Sequence, residues 1–105
     1  MLPWYKDTMM SEVNTSGGRD PRPSTVVTRV QTGVRMEKRL LKVLKALAEL
    51  KDITLGDLLE GIVLHTFEGR APFSEQTLHE IAQLKAVYGL TLEAADSHNL
   101  EEGDD

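Results

Sequence analysis

The stretch Val26-Val27-Thr28-Arg29-Val30-Gln31-Thr32-Gly33-Val34-Arg35-Met36 alternates. Its even positions, Val26, Thr28, Val30, Thr32, Val34 and Met36, are β-branched or apolar. Its odd positions, Val27, Arg29, Gln31, Gly33 and Arg35, are mostly polar and basic. Side chains two apart share a face of an extended chain, so this pattern predicts a half-buried strand with one apolar and one basic face.

Past Met36 the period lengthens. Leu40, Val43, Leu44, Leu47 and Leu50 recur at three and four residues and predict a helix over about 37–51 with an apolar stripe. Lys38, Lys42, Lys45 and Glu49 fall opposite and read as a solvated face, Lys45 and Glu49 being an i, i+4 pair. Thr54-Leu55-Gly56-Asp57 then resembles a capping box, the Thr54 hydroxyl accepting from the Asp57 N–H. A second helix over 55–68 carries Leu55, Leu58, Leu59, Ile62, Val63, Leu64 and Phe67 around more than half its circumference. It should be buried on more than one side, with Gly69 as its stop. Gly61 inside it costs about 1 kcal/mol relative to Ala and fits close approach of a neighbouring helix. A third helix is signalled by Ser74 as N-cap, Phe73 and Leu78 as a staple, a thin stripe of Leu78, Ile81, Leu84 and Tyr88, and Gly89 as terminator.

The flanks differ from this centre. Residues 1–25, with Gly17-Gly18, Pro21 and Pro23, have no apolar period and read as a disordered arm, in which Met9 or Met10 is an alternative start. Residues 93–105 hold six acids and no Lys or Arg, an acidic disordered tail. The domain reading is therefore arm 1–25, folded unit 26–69, helical extension 70–92 and tail 93–105. The net charge of −5 hides a basic block: seven bases and two acids give +5 over residues 26–51.

Composition excludes whole classes of function. Without cysteine there is no disulfide scaffold, thiolate zinc site, iron–sulfur cluster or cysteine nucleophile. No apolar run reaches the ~20 residues of a membrane helix, and the first ten residues lack a signal-peptide core. The expectation is a cytoplasmic protein with no membrane partner, nucleoid-associated if bacterial. His65 lies three before Glu68 and His79 four after Glu75, and neither spacing is a recognised metal-ligand motif. No nucleophile elbow, phosphate-binding glycine loop, Glu-x-x-His motif or paired-carboxylate pocket is present, so no enzyme activity, metal or cofactor is expected.

A lone strand leaves its backbone groups unpaired, and no second alternating run exists to meet it. Two copies pairing their strands antiparallel and packing their second helices together would resolve this, which predicts a homodimer. Strand, amphipathic helix, turn and capped helix within residues 26–69 resemble the ribbon-helix-helix (Arc/MetJ-like) family of DNA-binding proteins. The resemblance rests on Arg29-Val30-Gln31-Thr32-Gly33-Val34-Arg35, the Leu40/Leu44/Leu47 stripe and the Thr54-Leu55-Gly56-Asp57 cap. It implies an α+β, mostly helical fold: a ribbon-helix-helix homodimer, one strand per chain pairing across the dimer, with an extra C-terminal helix.

The resemblance also implies a double-stranded DNA partner, read in the major groove by the paired strands, and a role as transcriptional regulator or repressor. Arg29, Gln31 and Arg35 are the base-reading side chains. Arg donates twice to guanine O6 and N7, and Gln pairs with adenine N6 and N7. Gly33 departs from the family pattern, which has a polar side chain at that position. Thr54, Leu55 and Gly56 would hold a phosphate at the second helix's N-terminus, although the carboxylate of Asp57 repels it. Lys38, Arg39, Lys42 and Lys45 add longer-range attraction. A helix-turn-helix reader is excluded, since residues 55–68 are apolar and carry Asp57, Glu60 and Glu68. The alternative is an antitoxin-type or other interaction module whose residues 70–105 bind a protein. The acidic tail also suits a third role, folding over the basic face and inhibiting it.

Overall fold

The computed structural model describes residues 24–103, in which three α-helices follow an N-terminal segment without regular secondary structure. The expected disordered arm lies outside the described residues up to position 23, as do 104–105. Helix α1 is Lys38–Lys51, α2 is Leu55–Phe67 and α3 is Glu75–Tyr88; a 3-10 turn, Ala94–Asp96, follows.

Each helix begins where a side chain takes up a free N–H. Thr54 Oγ1 accepts from the Asp57 N–H at 3.0 Å, and Ser74 Oγ accepts from the Thr77 N–H at 3.2 Å. Helix α1 is capped by a residue with no cap signature in the sequence, Glu37, whose Oε1 accepts from the Leu40 N–H at 2.7 Å. It ends on Asp52, a non-glycine residue in the left-handed region at φ 61°; Gly89 takes the same conformation after α3 at φ 69°.

Helix α1 packs against both α2 and α3, which make no close backbone approach to each other. Leu47, Ala48 and Leu58 form the core, with Leu44, Ile53, Ile62, Phe73, Ile81 and Leu84 packed on it. A half-buried ion pair, Lys51 Nζ to Glu80 Oε1 at 2.8 Å, ties the end of α1 to α3. Its geometry is that of an ion pair rather than an aligned hydrogen bond, and Oε1 is shielded from solvent. Gln76 donates to Oε2 at 3.1 Å. Burial would raise the Glu80 pKa, but the close Lys51 ammonium, the hydrogen bond from Gln76 and the charge of His79 outweigh it and hold the carboxyl below its ordinary range.

The fold-class expectation is corrected here. Residues 26–36 carry no regular secondary structure and form no ladder with any described segment, so the described residues contain no ribbon and no β-sheet. The unit is helical, not α+β. Alternation reports which backbone conformation suits a segment; a strand also needs a neighbour to exchange backbone hydrogen bonds, and the described residues offer none. The even face of the segment is accordingly bare: Val26, Val30 and Val34 are 98%, 81% and 77% exposed. Helix α2 is also less buried in the chain than its composition suggests. Only Leu58 is fully covered, while Val63, Leu64 and Phe67 face outward.

Candidate nucleic-acid interface

The irregular segment is exposed from Ser24 to Arg35. Of its odd-position side chains, Arg29 reaches α2. Arg29 Nε donates to Glu60 Oε2 at 2.9 Å and Nη2 donates to Glu60 Oε1 at 2.8 Å, a side-on bidentate pair. Asp57, one turn earlier on the same helix, has Oδ1 3.7 Å from Nη2, beyond hydrogen-bond distance but close enough to add its charge. The Glu60 hydrogen bond and charge hold the guanidinium protonated more firmly than a free arginine. The hydrogen bond from Arg29 correspondingly keeps the Glu60 carboxyl ionised below its ordinary range. All three side chains remain open to water, so the pairing orients more than it stabilises.

Arg29 therefore lies beside the N-terminal turn of α2, where Thr54, Leu55 and Gly56 are the expected phosphate-holding residues. A Cβ built on Gly56 would meet only Thr54 Oγ1, at 3.8 Å, so this turn is open. Its Asp57 N–H is already taken by Thr54.

Arg35 lies elsewhere: its Nη2 pairs with Glu102, near the chain's end. The C-terminal segment is brought round by an apolar groove of about 360 Å³, whose lining includes Leu40 and Leu44 of α1 together with Leu92 and Leu100. Gln31 is exposed and lies between the two arginines in sequence. Nothing lies within 4 Å of a Cβ built on Gly33, so no close contact among the described residues explains that glycine. Lys38, Arg39, Lys42 and Lys45 are all exposed along α1.

Sequence reading missed Glu60 and Glu102 as the partners of Arg29 and Arg35. The only available signal was charge: a basic block followed by acidic ones, with no indication of which carboxylate meets which arginine. Among the described residues no group of three His, Asp or Glu side chains is arranged to hold a metal ion. No helix there is long and apolar enough to cross a membrane.

Fold and site together define a small three-helix unit carrying an exposed, basic, irregular segment. Compared with known proteins, the chain matches no protein-family model, no curated protein and no solved structure.

Proposed function

We propose that this chain is a sequence-specific double-stranded DNA-binding regulator of transcription, acting as a homodimer in the cytoplasm without catalysis or cofactor. The observation that carries this reading is the segment itself. It is solvent-exposed, free of regular secondary structure, and carries at alternate positions Arg29, Gln31 and Arg35, whose donors and acceptors match base edges in the DNA grooves. The reading does not need a paired ribbon. Phosphate contacts come from the open first turn of α2 at Thr54, Leu55 and Gly56, next to Arg29, and from the exposed bases of α1.

The homodimer reading is supported by apolar surface left bare in one chain: the valines of the segment, and Val63, Leu64 and Phe67 on α2. A second reading, a protein-interaction module using residues 70–105, draws on the exposed Leu78, Val87 and Leu100.

Fluorescence anisotropy of labelled genomic duplex fragments tests the DNA reading, with wild type beside the variant Arg29→Ala/Gln31→Ala/Arg35→Ala. Wild type is expected to select particular fragments, to weaken steeply between 50 and 200 mM salt as phosphate contacts are screened, and to lose selectivity in the triple variant. No binding by either protein at low salt would transfer the role to residues 70–105 and a protein partner.

A further inference from the structure

The pairing of Arg29 with Glu60 leaves one edge of the guanidinium free. An arginine has five N–H donors in a fixed plane, arranged as a side edge of Nε and Nη2 and an end edge of Nη1 and Nη2. Glu60 occupies the side edge with both carboxylate oxygens, at 2.9 and 2.8 Å. Among the described residues, no hydrogen bond is made by Nη1 or by the second N–H of Nη2; Asp57 at 3.7 Å is out of range. That end edge is the one that can place two parallel donors on guanine O6 and N7. Glu60 stands on the second turn of α2, a rigid mount, whereas Arg29 hangs from an irregular segment with no backbone partner among the described residues. The carboxylate therefore removes rotamer freedom that Arg29 would otherwise lose on binding a base.

We infer that Glu60 is a positioning residue for Arg29, fixing the plane of its guanidinium so that the end edge reads a single guanine. The inference rests on the DNA-binding reading above. Its competitor is simple neutralisation, in which Glu60 lowers the attraction of Arg29 for every duplex alike. The two differ in what they do to sequence preference. Positioning governs discrimination at one base, whereas neutralisation governs affinity everywhere and leaves the preference unchanged.

The experiment is selection by the full chain from a pool of duplexes with a randomised core, followed by affinity measurement on the selected duplex and on duplexes changed at single positions. Wild type, Arg29→Ala, Glu60→Gln and Glu60→Asp are compared, with a thermal melt of each confirming the fold; Glu60 is exposed, so folding should survive. Arg29→Ala is expected to lose one guanine of the selected site. Glu60→Gln should lose about tenfold or more of the discrimination at that same guanine while keeping the other positions, and Glu60→Asp should retain part of it. If Glu60→Gln keeps full discrimination there, whatever its overall affinity, the positioning role is wrong and DNA reading stands. The positioning role is equally wrong if Arg29→Ala loses no position. If wild type selects no site, the DNA reading falls and this inference falls with it.

Discussion

Gly56 and Glu80 show how single side chains divide between binding and stability. Gly56 is in the first turn of α2, its φ is not left-handed, and a Cβ there makes only an ordinary contact with Thr54 Oγ1. Gly56→Ala should therefore raise stability, by up to about 1 kcal/mol, while bringing a methyl group to the surface a phosphate would approach. A higher melting temperature with weaker DNA binding is the expected result; unchanged affinity would remove this turn from the interface. Glu80 belongs to stability alone. Its carboxyl is held below the ordinary range in the folded chain, so it contributes stability above its unfolded pKa, and that contribution disappears as pH falls through the lower folded value. Glu80→Gln should cost about 1–2 kcal/mol at pH 7, between the values of exposed and buried pairs. The deficit should shrink as pH falls below the ordinary glutamate range and vanish below the lowered folded value, as thermal melts against pH would show.

Helix α2 is the element on which the assembly turns. One side carries Leu58 into the core; the other presents Val63, Leu64 and Phe67, the last 80% exposed. In a lone chain, Phe67→Ala would change stability by no more than about 0.5 kcal/mol, as exposed substitutions do. In a homodimer that covers this side, it should cost about 2–3 kcal/mol, and the wild-type melting temperature should fall on dilution. Melting curves across a hundredfold range of protein concentration check both statements. A concentration-independent midpoint and a neutral Phe67→Ala would leave this surface without a second copy.

At the scale of the whole molecule, the chain's acidic end meets its basic segment. The C-terminal residues pass along the groove beside α1, and Glu102 pairs with Arg35. This is the contact by which an acidic tail would compete with DNA for a basic residue. Glu101→Gln/Glu102→Gln should tighten DNA binding, most of all at low salt where exposed charges are least screened. Identical affinity to wild type at 50 mM salt would exclude such competition. The double substitution is preferable to deleting 93–105, because Leu100 and Asp96 also line the groove and their loss would alter packing.

The sequence by itself determined the three helices, their order and most of their ends, because those depend on hydrogen bonds and side-chain spacings within about four residues. Thr54 and Ser74 cap as read, and Gly89 stops α3 as read. It also marked residues 26–36 as a strand, and the structure overturns that. Only the tertiary structure decided that this segment, with no backbone partner among the described residues, is no strand. It alone showed that α2 leaves one side bare, and that Arg29 and Arg35 meet carboxylates 31 and 67 positions away. A ladder, a covered face and an ion pair each need atoms distant in the chain to arrive together, and local spacing carries no record of which ones will.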